Sequence, residues 1–492
     1  MVKLARNVLK NAFFNSSSAL IRGIGGFLFS IVLARFLTPD LYGIYALATS
    51  LCFFILHLDP GTNYTAVRYI AYAIGKKDEC SARGYFSFLF KIRLVLGLIF
   101  AISLAIIGKF SYQIFNKPLL FIPLEIFSIF LFFFYLTDFV DACSQALQNF
   151  KYPAIRHTIY EILKFVFVLI SLFMGFFYGI FLGIALAAFL TFLIVFSILR
   201  RRYNFLFRGM IAEIEKKRVL KFLGFMSIGS ISGMIYSYID MIMIGIFLPS
   251  EYAGYYKAAT NIVFGIGGLI AITGVLFPVF TQLEGESLED AFRKVFKYSA
   301  VLSFPLTASI AYFSGEIVKV VYGVSYLSAS LPLLILSPVI IFNSINFFET
   351  LFGAKEKPEY NSAISVASMS LNVILNYFLI IKLGVVGAAI ATTISRFFRI
   401  TTMGILSHLV LKISPEISSI YKPLFASLVM FIILQLMPHP NNFLLGIFEL
   451  CLSFAFYFVV MFLIRGIEIK DFRYAKAVFG IESFTSFINR GK

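Results

Sequence analysis

Tryptophan is absent from the 492 residues, and cysteine and histidine occur only four times each. Cys52, Cys80, Cys143 and Cys451 form no C-x-x-C pair, so neither a disulfide framework nor a zinc site is indicated. His57, His157, His408 and His439 are equally dispersed and no H-E-x-x-H is present; no metal and no cofactor is expected. Charge is scarce as well. Asp, Glu, Lys and Arg make up 14% of the chain, against about 25% in a typical soluble domain. That excludes an ordinary soluble enzyme. Without Trp, Tyr must supply any aromatic belt at a membrane interface.

What fills the chain is apolar: 60% of the residues are hydrophobic, 61 of them Phe, and mean hydropathy is +0.90. A membrane-crossing helix takes about 20 mostly apolar residues. Apolar segments recur over 12–36, 42–63, 85–108, 119–145, 155–176, 180–200, 220–247, 253–282, 292–314, 328–350, 360–381, 386–410, 421–437 and 443–465. The fold class expected is all-α, a polytopic membrane protein of about 14 transmembrane helices with both ends on one side. Met1 to Asn11 carries Lys3, Arg6 and Lys10 ahead of an apolar stretch too long for a signal peptide and without a clean cleavage site, so an uncleaved first helix is expected.

The 42 Lys and Arg exceed the 25 Asp and Glu by 17. With the N-terminus in the cytoplasm, roughly 30 basic residues fall in cytoplasmic segments and about four (Lys109, Lys117, Lys319, Lys382) outside. This asymmetry argues for a plasma-membrane protein with both termini cytoplasmic. The largest cluster is Arg200, Arg201, Arg202, Arg208, Lys216, Lys217, Arg218 and Lys221. Lying between two spans, it reads as an orientation signal and an anionic-lipid contact, not as a nucleic-acid surface.

Two stretches repeat. Phe36, Leu37, Gly43, Tyr45, Ala48 and Thr49 match Phe247, Leu248, Gly254, Tyr256, Ala259 and Thr260 at one fixed offset, and Asp40 matches Glu251 in kind. Gly183 and Ala187 are echoed by Gly387 and Ala391. The organisation expected is a six-helix bundle at 1–205, a second at 206–414, and two added helices with a cytoplasmic tail at 415–492. Two such bundles imply a pseudo-symmetry axis along the membrane normal, a central cavity and alternating access by rocking. The outer connections near 109–118 and 315–327 hold roughly a dozen residues, little material for an outer-face active site. Neither a D-x-D nor a P-loop motif occurs, so an enzyme is not expected. Gly23, Gly25, Gly26, Gly265, Gly267 and Gly268 lie inside apolar spans and read as packing or bending points.

Charges at membrane depth cost about 2.5–3.5 kcal/mol each on insertion scales, so they should face a cavity or each other. Counted from the turn near Pro39, Arg22 and Asp59 lie at about 26 and 29 Å, which permits a pair on the cytoplasmic half. Asp240 and Lys257 lie at similar depth below Pro249 and could pair likewise. Arg35 and Arg68 sit nearer the interfaces, where snorkelling suffices. Asp138, Asp141, Glu349, Arg396 and Arg399 are also at membrane depth. Glu161 and Lys164, three residues apart, read as a local pair.

The string Leu33-Ala-Arg-Phe-Leu-Thr-Pro-Asp-Leu-Tyr-Gly-Ile-Tyr-Ala-Leu47 resembles the start of polysaccharide (O-antigen type) flippases of the multidrug/oligosaccharidyl-lipid/polysaccharide exporter superfamily. Asp59-Pro-Gly-Thr-Asn-Tyr-Thr-Ala-Val-Arg-Tyr-Ile-Ala71, Gly254-Tyr-Tyr-Lys-Ala-Ala259, Leu276-Phe-Pro278 and Gly384-Val-Val-Gly-Ala-Ala-Ile-Ala-Thr392 resemble later landmarks of that family, in order. The resemblance implies transfer of a polyprenyl-(pyro)phosphate-linked oligosaccharide to the outer leaflet by a monomer in contact with membrane lipids. It places Arg22, Arg35, Asp59, Arg68, Asp240 and Lys257 on helices that line a cavity. Asp240 and Glu349 are candidates for a coupling cation, Na+ or H+. Tyr236, Tyr238, Tyr255 and Tyr256 could stack on sugars. The alternatives are a drug or cation antiporter and a lipid II flippase of the same superfamily. A membrane glycosyltransferase or polymerase would want a large outer loop bearing carboxylates.

Overall fold

The computed structural model describes residues 21–270, 273–437, 443–468 and 471. The expected start of the first helix, Met1 to Asn11, and most of the expected tail lie outside them.

The described residues are helical throughout, without strands. Helix α1 covers residues 21–36. It is followed by α2 (Pro39–Leu56), α3 (Thr62–Gly75), α4 (Glu79–Lys109), α5 (Ser111–Phe115), α6 (Phe121–Ala146), α7 (Lys151–Phe173) and α8 (Phe177–Arg202). After the central loop come α9 (Lys216–Phe247), α10 (Ser250–Ile270), α11 (Thr273–Gln282), α12 (Gly285–Tyr312), α13 (Ser314–Val321), α14 (Ser330–Leu336), α15 (Pro338–Ser344) and α16 (Phe348–Ala354). The last four are α17 (Pro358–Leu383), α18 (Val385–Leu406), α19 (Ser418–Leu436) and α20 (Phe443–Leu463).

Local sequence sets these limits. Thr38 accepts the Leu41 amide and Pro39 occupies the first turn of α2, where a proline costs no hydrogen bond. The expected 42–63 span instead breaks at Asp59-Pro60-Gly61. Gly61 turns the chain at φ +77°, a left-handed conformation open to glycine. Asp78 caps α4 by accepting the Ser81 amide at 2.9 Å.

Each expected apolar segment falls on one or more of these helices. By length and composition, seven of the described helices qualify as membrane spans, or up to nine if two bent helix pairs each count once. The expected fourteen exceeds that number. Helices bearing several charges, such as α7 (Arg156, Glu161, Lys164) and α18 (Arg396, Arg399), are outside the seven.

The chain forms two compact units that do not follow chain order. One comprises the described residues up to Gly268 with Val318–Leu336 and Ser362–Arg396; the other comprises Leu269–Ile317, Ser337–Asn361 and the described residues from Phe397 onward. In the first unit α4 packs on α6, α6 on α8, α7 on α8, and α3 against α4 and α6. In the second, α12 packs on α19 and α19 on α20 around Val301, Met430, Tyr457 and Met461.

Within the first unit the repeat-related glycines meet each other. A Cβ on Gly43 would overlap the Ser250 carbonyl and come 3.0 Å from the Gly254 amide nitrogen; a Cβ on Gly254 would overlap the Pro39 carbonyl. The starts of α2 and α10 therefore cross backbone to backbone. Equivalent positions in contact are what a pseudo-twofold axis between two repeats produces. Gly183 and Gly387 also serve one purpose: each lets its helix approach the preceding one, at Phe167 and at Leu379 respectively.

Candidate functional site

Buried charge in the first unit is gathered into clusters, and the pairing differs from the depth argument. Asp59 caps α3, accepting the Thr62 amide at 2.9 Å and the Thr62 hydroxyl at 2.7 Å. Its ion partner is Arg93 of α4, at 3.1 Å, not Arg22. Arg93 is 1% exposed, donates to the Tyr135 carbonyl at 3.0 and 2.8 Å, lies over the Tyr135 ring, and donates to the Thr62 hydroxyl. The Tyr135 hydroxyl donates to Asp59 as well. The expected Arg22–Asp59 pair fails because a third helix reaches the same level: Arg93 lies sixteen residues from Lys109 in α4, about 24 Å along the axis. Arg22 is exposed, near enough to Asp141 and His157 to act on both electrostatically.

The second cluster joins α6 to α7. Asp138 and Asp141, three residues apart and hence on one helix face, share the buried Arg156 guanidinium at 2.9 and 2.5 Å. His157 Nε2 lies 3.9 Å from Asp141. The Glu161–Lys164 pair forms as expected, at 2.6 Å, with Gly25 leaving room for the Glu161 carboxylate.

The third cluster surrounds Asp240 of α9. Its carboxylate accepts from the Tyr256 hydroxyl at 2.7 Å, the Thr392 hydroxyl at 2.5 Å and the Asn376 amide at 2.5 Å. The Asn376 amide also reaches Asn372 Oδ1 at 3.1 Å, and Asn372 donates to Ser395 at 3.3 Å. Asn372 and Asn376 are one turn apart on α17, and Thr392 and Ser395 one turn apart on α18, so two helix faces converge on one carboxylate. Asn376 Oδ1 is buried without a hydrogen-bond partner among the described residues. The expected Asp240–Lys257 pair does not form. Depth alone was matched; on α10 it is Tyr256 that faces Asp240, and consecutive helix positions point in different directions. Lys257 is half-buried.

Arg35 donates to the carbonyls of Val320 and Val321, the latter at 3.0 Å. Arg68 lies over the Phe222 ring at 4.5 Å. Glu349, in the second unit, is bound by Arg399 and by Asn346, each at 2.8 Å. No hydrogen bond or ion pair among the described residues joins any two of Arg22, Arg35, Asp59, Arg68, Asp240 and Lys257. Of the four tyrosines, Tyr256 is occupied by Asp240, Tyr236 contacts Ser395 at 3.4 Å, Tyr238 packs near His57, and Tyr255 meets Tyr326 edge-on. Arg93 and Arg156 are what sequence reasoning missed. Their signal was a lone Arg inside or at the edge of an apolar segment, opposite Asp at matching depth.

A family model described as "Polysaccharide biosynthesis protein" matches residues 8–284, more than half of the chain. The chain belongs to this polysaccharide biosynthesis family. As a member, it is 33% identical over 175 residues to a protein of Haloferax volcanii named "Probable low-salt glycan biosynthesis flippase Agl15". That match covers 34% of this chain and 37% of the relative, so it spans little more than a third of each. A structure of the lipid II flippase MurJ, in an inward closed conformation, superposes with a TM-score of 0.76 at 17% identity, over 92% of this chain and 99% of that one. An inward-facing multidrug MATE family transporter of the MOP superfamily superposes at 0.62 and 13% identity, over 84% and 95%. The family member thus has the all-helical fold of that superfamily, a multi-span membrane architecture.

Proposed function

We propose that the protein is a flippase that carries a polyprenyl-(pyro)phosphate-linked oligosaccharide from the cytoplasmic to the outer leaflet of the plasma membrane by alternating access. The observation that carries this reading is the contact of Gly43 with Ser250 and Gly254. It brings repeat-related positions of α2 and α10 together, which supports a pseudo-twofold relation between two rocking bundles at 1–205 and 206–414. Family membership and the name of the Haloferax relative support the glycan substrate. In this reading both termini are cytoplasmic and the Gly43–Gly254 contact is an outer seal. It is reinforced by Ser30, which meets the hydroxyls of Tyr42 and Tyr322 at 2.9 and 3.1 Å and accepts from Asn261 at 2.7 Å. Arg35 belongs to that seal through the Val320 and Val321 carbonyls, not to the substrate.

Arg22 and Lys257, which no acidic side chain ties down within ion-pair distance among the described residues, are the cations assigned to the anionic substrate. Arg offers a planar fork to phosphate oxygens, Lys a mobile point charge. Asp240 is assigned to the coupling ion in preference to Glu349, whose carboxylate Arg399 already neutralises. The Asp240 carboxylate and the Thr392 hydroxyl oxygen suit a small hard cation, and Asn376, whose amide nitrogen now donates to that carboxylate, would add its unpaired Oδ1 by turning its amide over. Sodium, if it is the coupling ion, would be held by those three residues and would supply the downhill gradient for the cycle.

The test is deletion of the gene followed by sidedness analysis of lipid-linked glycans. Accumulation in the inner leaflet is the expected result. Unchanged glycans with altered dye efflux would instead establish the antiporter alternative.

A further inference from the structure

The central loop between α8 and α9 is strapped down on α4. Arg83, 7% exposed, donates to the Phe205 carbonyl at 2.6 Å and to the Met210 carbonyl, and the Ala212 amide donates to the Cys80 carbonyl at 3.2 Å. Gly84 permits this approach, since a Cβ there would lie 2.8 Å from the Ala212 carbonyl oxygen and from the Ile214 side chain. Beside the strap a groove of about 720 Å³ remains open between residues 211–216 and α4.

Its walls are mostly apolar and, Ser87 apart, its polar side chains are charged. Phe88, Ile92, Val95 and Leu96 form the α4 wall and Ile211 the strap wall; Lys91, Lys216 and Glu213 contribute the charges, for a net of one positive. Lys91 stands eighteen residues from Lys109 in α4, about 27 Å, so the two lysines bracket a hydrocarbon layer of about 30 Å. The groove therefore opens at headgroup level. From it an exposed apolar stripe, Val95, Ile99, Ile102 and Ile106, runs down α4 at helical spacing. On the strap Met210 and Ile211 are 83% and 60% exposed, between Arg208 on one side and Glu213, Glu215 and Lys216 on the other, as suits a loop lying in a membrane interface.

We propose that this groove holds one anionic phospholipid of the leaflet adjoining Lys91, its phosphate at Lys91 and Lys216 and an acyl chain along the α4 stripe. Basic pockets at the edge of transmembrane helices select anionic headgroups on this principle. The bound lipid would fasten the loop that joins the two halves of the chain to α4.

The full-length protein, purified in mixed micelles of phosphatidylglycerol and phosphatidylcholine, is assayed for retained lipid by native mass spectrometry. Phosphatidylglycerol is expected to be retained preferentially. Lys91→Gln with Lys216→Gln should lower its retention about 25-fold, roughly fivefold per lysine. Val95→Trp, which fills the groove without changing charge, should also lower retention. Lys319→Gln with Lys382→Gln, an equal change of charge at exposed lysines outside the groove, should not. Lack of preference in the unaltered protein, equal losses in both charge pairs, or full retention in Val95→Trp would each overturn the proposal. If the double lysine variant fails to fold, Val95→Trp decides, because Val95 is already exposed.

Discussion

Asp59 and Asp240 are both carboxylates of the same compact unit, yet they are satisfied in opposite ways. Asp59 is tied to a buried guanidinium. Among the described residues Asp240 has three hydrogen bonds, all from neutral groups. The same division runs through the neighbouring charges. Asp138 and Asp141 share Arg156, and Glu161 holds Lys164. A charge matched within the fold is already spent on holding helices together. A carboxylate held by dipoles alone retains its charge for a ligand. Among the described residues, the ion pairs with a buried cation (Arg93, Arg156 and Lys164) all lie in the first 205 residues, and Asp240 and Lys257 lie beyond them. In the proposed flippase, such a division would separate the charges that hold helices together from those that serve transport.

Removing Arg93 should break the matched side most severely. Arg93→Ala leaves the half-buried Asp59 without its counter-ion and removes the donors to the Tyr135 carbonyl. A loss of about 3–5 kcal/mol is expected, seen as a fall in thermal midpoint and in membrane-extracted yield. Adding Asp59→Asn should restore part of that loss, because the uncompensated charge goes with it; strictly additive losses would mean that the pair is not coupled.

Asp240→Asn should behave in the opposite manner. Its neighbours are hydroxyls and amides that can reorient around a neutral side chain, so a stability change of about 1 kcal/mol is expected. Cation-dependent transport in reconstituted vesicles should be abolished. Retained transport with full cation dependence would remove Asp240 from the coupling role, whatever happened to stability.

Lys257→Gln and Arg22→Ala test the cations left over. Neither forms an ion pair among the described residues, so both variants should fold with changes within about 0.5 kcal/mol. Transport of a lipid-linked glycan should fall in each. A variant that transports normally removes that residue from substrate contact.

The sequence showed where helices lie, because apolar length is a one-dimensional signal; the fixed offset between the two repeated stretches led to Gly43 and Gly254, which meet. It also showed Glu161–Lys164, since a three-residue spacing determines a shared face. Depth along a helix was legible for Asp59, Asp240, Arg22 and Lys257; rotation about the helix and the identity of the facing helix were not. Those two missing coordinates account for both failed pairs. Tyr256, not Lys257, faces Asp240, and Arg93 reached Asp59 from a helix outside the comparison. The convergence of Asn372, Asn376, Thr392 and Ser395 was hidden for a further reason: such residues are ordinary in any transmembrane helix until two faces are seen to meet.

The smallest effect is expected where a matched pair lies nearer water, and it calibrates the others. Asp471, beyond the last span, accepts from Lys297 and from the Tyr298 hydroxyl, each at 2.8 Å, and from the Glu468 amide at 2.9 Å. Partial burial pushes its carboxyl upward, but these hydrogen bonds and the Lys297 charge outweigh it and hold the group below the usual carboxylate range. A folded-state pKa below the unfolded value of about 3.9 means that the contribution is complete above that value and is lost as pH falls through the folded one. Solvent screening leaves it worth about 0.5 kcal/mol. Asp471→Asn should therefore lower the thermal midpoint slightly and equally at pH 6 and 8, with the difference from the unaltered protein vanishing only at strongly acidic pH. A loss at neutral pH as large as that of Arg93→Ala would mean that burial does not separate the structural pairs from the rest, and the contrast between Asp59 and Asp240 would need another cause.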